Sequence, residues 1–459
     1  MSSDDKTIYS LASAQGRAGV AVVRLSGTRC AMVLKTLTDK PLPQAHQARI
    51  RNLYGRKTSQ NSDGVKIDKA LVLWMPAPDS FTGEDVLELH IHGGTAVQAA
   101  LFSALESMEN IRQAEPGEFS RRAFEHAKLD LTAAEGLNDL VWAETEAQRV
   151  QALRQMDGDL GQLYESWRFR LLKSQALYEA NIDFSDEDIP DSLENVARPE
   201  ISAVFDEILS HLDDHKQGQQ LRSGFQVVIV GAPNVGKSSL LNVLAKDDVA
   251  IVSHTAGTTR DTISVRMDLA GYPVTITDTA GIRESDDEIE QEGVRRALAK
   301  AQQADLKIMM FDATITKQTM SGFTDLNGSE FEGQSISVFN KCDLAKEQNR
   351  SNDFNPTTVH YSISVKNGDG IDILLQAIET LVVNSMSVGD TPNLTRARHR
   401  SSLEECSEGL QRFLDNTNSD PALLAEDIRM AIRSLGKITG QVDVEDMLDI
   451  IFGEFCIGK

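Results

Sequence analysis

The run FQVVIVGAPNVGKSSLLNVLA spans residues 225–245. An apolar strand leads into GAPNVGKS (231–238), which fits the spacing G-x-x-x-x-G-K-S, and the helix-like SLLNVLA follows it. Each residue type has a physical task there. Glycines let the backbone turn tightly, and the N–H groups of the turn and of the helix start converge on phosphate oxygens. Asn234, Val235, Gly236, Lys237, Ser238 and Ser239 form this cradle. Lys237 reaches the outer phosphates, and the Ser238 hydroxyl is suited to Mg2+. A chance glycine-rich turn would lack the flanking strand and helix.

Working outward, two further motifs choose base and chemistry. DTAG (278–281) follows the apolar VTIT, with Asp278 at a strand end beside Thr279, Ala280 and Gly281. NKCD (340–343) follows SISVF and supplies Asn340, Lys341 and Asp343. A carboxylate at Asp343 can accept two hydrogen bonds from the Watson–Crick edge of guanine, whereas adenine has no such donor pair. Ser364, Val365 and Lys366 form a candidate further loop against the base. Together these describe a GTPase of the Ras-like fold. Between the motifs lies IVSHTAGTTRD (251–261), which carries Ser253, His254, Thr255, Ala256, Gly257, Thr258 and Thr259. Thr258 and Thr259 stand where such enzymes place the threonine that reaches Mg2+. Ile282 takes the position expected of a water-orienting glutamine. Another group must therefore neutralise charge developing between the phosphates. Asn234 reads either as a turn residue, which spacing alone favours, or as a ligand for a monovalent cation.

The rest of the chain sets the context. Its 459 residues suit two to four domains. A hydrophobic content of 41% and a charged content of 25% are those of a globular protein, and no run of apolar residues is long enough to span a bilayer. MSSDDKTIYS (1–10) is acidic, unlike a secretory signal. Cys30, Cys342, Cys406 and Cys456 are scattered, which argues against disulfides and zinc and for a reducing cytoplasm. A net charge of −23 is unlike that of a protein gripping nucleic acid unaided. Any work on RNA would need a local patch or a more basic partner.

GVAVVRLSG (19–27), KALVLWM (69–75) and DVLELHIHGG (85–94) read as strands. His90 and His92 are taken to face opposite sides of their strand, so no metal pair is expected there. Residues 128–156 carry apolar residues at helical spacing with almost no breakers. Apolar runs then alternate with helix-like segments, the pattern of a parallel sheet wrapped by helices. The boundaries fall at 1–120 (α+β), 121–223 (helical), 224–385 (GTPase) and 386–459 (helical again). The fold class is multidomain α/β, with a Ras-like P-loop domain inserted into a helical one. The chain finishes on EFCIGK (454–459), and Ile450, Ile451, Phe452 and Phe455 are expected to dock this segment on protein.

PNVGKSSLLN, AGTTRD, DTAGIRESDDEIEQEGV, NKCD and the final CIGK resemble the MnmE (TrmE) family of tRNA-modifying GTPases. GVAVVRLSG, SFTGEDVLELHIHGG and PGEFSRRAFEHAKLDLTAAEGLNDL are similar to the same family, so the likeness runs over essentially the whole chain. Departures are SAQG (13–16) in place of a common Pro-Pro-Gly turn, and Ile91 where many members have Cys or Gly. The resemblance implies a carboxymethylaminomethyl-type modification at carbon 5 of the tRNA wobble uridine. It implies a homodimer that works with an FAD-containing MnmG (GidA)-type flavoprotein, in a heterotetramer or larger assembly. It also implies a tetrahydrofolate one-carbon donor, either 5-formyl- or 5,10-methylene-tetrahydrofolate. K+ would be held by Asn234, Ser253, Thr255 and Thr258, and Mg2+ by Ser238 and Thr259. Glu290 would orient the attacking water through a bridging water. Arg24, Glu88, Lys128 and Lys459 would hold folate, with Cys456 beside them in a packing or positioning role. A different class of protein stays open: an Era- or Der-like regulatory GTPase of ribosome assembly. Those carry a basic RNA-binding domain after the GTPase motifs, where this chain has acidic helices.

Overall fold

The computed structural model describes residues 6–55, 64–183, 192–214, 217–246, 250–251, 264–278, 304–315, 334–345, 360–386, 392–416, 420–442 and 445–459. They divide into two units. One joins Met1–Asn138, Gln155–Ala180 and Ala425–Lys459, and the other joins Asp139–Arg154 and Asn181–Leu424.

The first unit is built on a six-stranded sheet. Its strands are β1 (Thr7–Leu11), β2 (Ala18–Ser26), β3 (Arg49–Tyr54), β4 (Lys66–Met75), β5 (Val86–Gly93) and β6 (Ile111–Gln113), in the order β3-β4-β5-β2-β1-β6. All neighbours are antiparallel except β1 and β6. Alternation decides the two faces. Val23, Leu25, Val72, Trp74, Leu87 and Leu89 point inward. There they bury against α1 (Cys30–Thr38) and α2 (Thr95–Glu106), chiefly through Val33, Leu34, Leu37, Leu101 and Leu105. Arg24, Glu88 and His90 occupy the opposite face. His90 and His92 share that face, contrary to expectation, because a two-residue period puts positions i and i+2 on one side. Each meets its own carboxylate: His90 Nε2 lies 3.2 Å from Glu88 and His92 Nδ1 lies 2.8 Å from Asp68.

Helices complete this unit. They are α3 (Glu118–Glu125), most of α4 (Leu131–Trp142), α6 (Asp159–Asp183) and α12 (Pro421–Thr439), and the whole of α13 (Glu445–Gly453). The helix expected across 128–156 is two, since α5 starts afresh at Glu146–Met156. The break is a capping box. Gln148 Oε1 accepts from the N–H groups of Glu144 and Thr145, and Thr145 sits at the N-cap position.

The second unit holds the nucleotide-type sheet: β7 (Phe225–Gly231), β8 (Ser264–Leu269), β9 (Tyr272–Asp278), β10 (Leu306–Asp312), β11 (Gln334–Asn340) and β12 (His360–Ser362). Their order is β12-β11-β10-β7-β9-β8. Five strands run parallel and β8 adds an antiparallel edge. β7 lies between β9 and β10, and its residues 227–230 (VVIV) are continuously apolar, as a strand covered on both faces requires. Leu221 of α8 (Gln217–Ser223), Leu240, Leu241 and Leu244 of α9 (Lys237–Leu244) and Leu374, Ile378 and Val382 of α10 (Ile371–Met386) seal the core.

Two longer helices of this unit, α7 (Ser192–Leu212) and α11 (Ala397–Asp415), pack together. Arg198 stacks 5.2 Å from the Phe413 ring and donates to the Leu414 carbonyl. Arg400 donates to the Leu212 carbonyl at 2.8 Å and pairs with Asp214. His211 lies among Asp214, His399 and Arg400, and burial pushes its imidazole down to about 4, with His399 and Arg400 adding to the effect against Asp214. The unfolded chain takes up this proton near 6.5, the folded one near 4, so between those values protons favour the unfolded chain. Stability complete above pH 6.5 is therefore lost toward pH 4, by about 3 kcal/mol in all. Thermal melts at pH 7 and 4.5 should show this fall, and His211→Gln should shrink it.

Candidate functional site

The nucleotide cradle grows from β7. Gly231 lies so close to β10 that a Cβ there would stand 2.4 Å from the Met310 carbonyl oxygen. Asn234 adopts φ +62° and Gly236 φ +106°, so the turn uses the left-handed region twice. Lys237 begins α9 and donates from Nζ to the carbonyls of Gly231 and Ala232 at 2.8 and 2.9 Å. Burial holds its ammonium below the ordinary lysine value, while Asp278 pulls it back up. The Ser238 hydroxyl donates to Asp278 Oδ2 at 2.5 Å. This pair of hard oxygen ligands fits Mg2+ chemistry.

The base side is equally built. Asn340, at the end of β11, donates from Nδ2 to the Val235 carbonyl at 2.8 Å. Its Oδ1 accepts from the Val365 N–H at 3.0 Å. One buried amide thus ties the phosphate turn to the loop of Ser364, Val365 and Lys366. The Ser364 hydroxyl donates to Asp343 Oδ1 at 2.7 Å and orients that carboxylate. Asp343→Asn should weaken GTP binding by about 3 kcal/mol, roughly a hundredfold, through loss of a charge-assisted pair. It should improve binding of xanthosine triphosphate, whose extra carbonyl suits an amide donor. Titration with both nucleotides checks this, and unchanged GTP affinity would remove Asp343 from base reading.

Ser253, His254, Thr255, Ala256, Gly257, Thr258 and Thr259, then Thr279, Ala280, Gly281 and Glu290, lie outside the described residues. The flanks of the first group are described: the Ile251 N–H donates to the Arg266 carbonyl at 2.8 Å, beside the bridge between Ala250 and Met267.

A second cluster lies in the first unit. The β2–β5 register sets Arg24 opposite Glu88, and Arg24 Nε donates to Glu88 Oε1 at 2.9 Å. The Arg24 guanidinium also lies 5.5 Å from the Phe81 ring and 6.0 Å from that of Phe119. The final residues of the chain arrive here. Ile457 bridges Pro116, and Gly117 N–H donates to the Cys456 carbonyl at 3.4 Å. Gly458 has φ +99°, and a Cβ there would stand 2.2 Å from the Leu11 carbonyl oxygen. Burial, with the charge of Arg24, holds the Lys459 ammonium below the usual lysine value, and Cys456 opposes this. Arg24, Glu88, Lys459 and Cys456 therefore gather. Lys128 is exposed, with its Cε over Gly83, next to the loop that carries Phe81.

Ile451 and Phe452 of α13, with Phe455 just beyond its end, anchor the segment against Leu131, Ala134 and Phe124. Ile450 does not share in this: it is 69% exposed, since helical spacing turns it away from Ile451 and Phe452.

Sequence reasoning missed the supports. Arg112 forks onto Glu118 at 2.7 Å, Arg122 bridges Glu118 and Glu84, and the Ser26 hydroxyl donates to Glu84 at 2.7 Å. The links to Glu84 join residues 38 and 58 apart, which no local spacing marks, whereas Arg122 and Glu118 stand at the helical spacing of four that the sequence does show. Among the described residues no group of three or more His, Cys, Asp or Glu is arranged to hold a metal, and no helix is long and apolar enough to cross a membrane.

Residues 7–128 match the family model of the GTP-binding protein TrmE N-terminus, and residues 131–456 match that of the MnmE helical domain. The tRNA modification GTPase MnmE of Parvibaculum lavamentivorans is 50% identical over 456 residues, covering 99% of this chain and 100% of the relative. The tRNA modification GTPase MnmE of Maricaulis maris is 48% identical over 454 residues, covering 99% of each. A zebrafish (Danio rerio) mitochondrial protein, the 5-taurinomethyluridine-[tRNA] synthase subunit GTPB3, is 45% identical, covering 99% of this chain and 93% of that one. Two family models side by side, relatives matched from end to end, and a guanine-type nucleotide cradle lead to one assignment: the chain belongs to the MnmE (TrmE) family of tRNA modification GTPases.

Proposed function

We propose that the chain is a GTP hydrolase that works in modification of carbon 5 of the tRNA wobble uridine. The observation that carries this reading is relatedness over the full length to proteins named for tRNA modification, in a chain that keeps a buried, braced guanine-nucleotide cradle. Lys237 neutralises the outer phosphates, Asp343 reads the base, and Ser238 with Thr259 would hold Mg2+, which screens phosphate charge when bound. Asn234, Ser253, Thr255 and Thr258 would hold K+. Glu290 orients the attacking water.

Arg24, Glu88, Lys128 and Lys459 would bind a tetrahydrofolate derivative, 5-formyl- or 5,10-methylene-. The meeting of Arg24, Glu88 and Lys459 supports this: a carboxylate suits the amine-bearing edge of a pterin, and the cations suit its anionic tail. Cys456 sits beside them in a positioning role. On the same sheet face Val20, Ile50 and Leu71 are 57%, 66% and 38% exposed, an apolar surface that supports homodimerisation. An FAD-containing MnmG-type flavoprotein is the further partner, in a heterotetramer or larger assembly, and the setting is the cytoplasm. The domain plan is 1–120, 121–223, 224–385 and 386–459, with the GTPase domain inserted into the helical one. An Era- or Der-like role in ribosome assembly has less support, since the N-terminal sheet and the final segment have no part in it.

Nucleoside analysis of tRNA from cells lacking the chain tests the proposal. The modified wobble uridine should be missing, and unchanged wobble uridines would defeat it.

A further inference from the structure

Lys341 carries a left-handed backbone, φ +65°, which costs a side-chain-bearing residue about 1 kcal/mol. Strain of this kind persists where the surroundings hold it in place. The holding group is Asp312, at the end of the neighbouring strand β10, directly opposite Asn340 in the parallel register. Asp312 Oδ2 accepts from Lys341 Nζ at 2.5 Å. Its other oxygen accepts from the Thr314 N–H at 2.9 Å and the Thr314 hydroxyl at 2.6 Å. The Ala313 N–H donates to the Asn340 carbonyl at 2.9 Å, which locks the two strand ends together. The carboxylate is only 11% exposed and the Lys341 side chain 34%. Burial alone would raise Asp312, yet the bonds from Lys341 and Thr314 outweigh it and hold the carboxyl below its usual range.

We infer that Asp312 is a positioning residue for guanine-nucleotide binding: it stretches the Lys341 stem from β11 to β10 before the nucleotide arrives. The inference rests on the guanine-nucleotide reading of the site. Lys341 lies between Asn340, which braces the phosphate turn, and Asp343, which faces the base. A stem fixed at both ends offers the purine a preformed apolar wall. A free lysine would have to be ordered on binding, at a cost in affinity of about three- to tenfold.

The test uses the full chain, with a fluorescent GDP analogue for affinity and steady-state GTP hydrolysis for rates. Asp312→Ala should weaken GDP binding three- to tenfold, raise KM for GTP by the same factor and leave kcat within twofold. Asp312→Asn keeps the shape and loses the charge, and should give an intermediate loss if the alanine variant does not fold. In a Lys341→Ala background Asp312→Ala should have no further effect, because its purpose has gone. A structural role confined to the Thr314 turn would instead give the same loss in both backgrounds. That additive result, or wild-type affinity in both Asp312 variants, overturns the inference. Failure of the unsubstituted chain to bind GDP would overturn the nucleotide reading as well.

Discussion

GTP hydrolysis is expected to run roughly ten- to a thousandfold faster in potassium than in sodium at equal ionic strength. Ile282 has no group with which to orient water, and IVSHTAGTTRD contains Arg260 but places it next to the metal-type threonines. An arginine finger supplies about 10³–10⁵ in rate to GTPases that use one, so its substitute must also have a large effect. Asn234 has a neutral oxygen and an exposed position in the phosphate turn, with its backbone at φ +62°. A weakly hydrated monovalent cation matches such oxygens better than a smaller, strongly hydrated one. Initial rates in KCl and NaCl decide the matter, and Asn234→Ala should flatten the difference. Equal rates in both salts would remove the cation from the mechanism.

The second large effect concerns the other unit. Deleting residues 456–459 should abolish tRNA modification while sparing potassium-stimulated GTP hydrolysis. The lost residues contribute the bridge to Pro116, the Gly458 contact beneath Leu11 and the ammonium near Arg24. The hydrogen bonds that brace the nucleotide cradle are made between its own residues, from Gly231 to Val365. Binding of a formyl-folate analogue should weaken in the same variant. Cys456→Ala should cost less than the deletion, because backbone contacts do most of the docking. Normal modification by the shortened protein would reduce this segment to a tail.

What could be read in the sequence was what is local. GAPNVGKS and NKCD each pack their chemistry into consecutive residues, so spacing alone points to the cradle, while Thr279, Ala280 and Gly281 of DTAG lie outside the described residues. Strands β2, β4 and β5 announced themselves by alternation and flanking glycine. Partners across the fold were not legible. Arg24 and Glu88 meet because β2 pairs with β5, and nothing near either residue fixes that register. The pairing of Lys341 with Asp312 depends likewise on two parallel strands ending level. The break at Thr145 is local and so legible: T-E-A-Q spells a capping box inside an otherwise unbroken helical pattern. Ile450 faces outward because a helix divides an apolar run between its faces, which a run of apolar letters does not show.

The contact of Gly458 with Leu11 has a bearing on how the chain is made. The first strand of the sheet is synthesised early, and the segment that lies against it is almost the whole chain away. During translation the nucleotide-binding unit therefore has all its parts while the first unit still waits for its closing piece. A nascent or prematurely terminated chain would hold GTP and lack the cluster around Arg24. Completion of that cluster reports that synthesis has reached Lys459, so only chains carried that far present both sites.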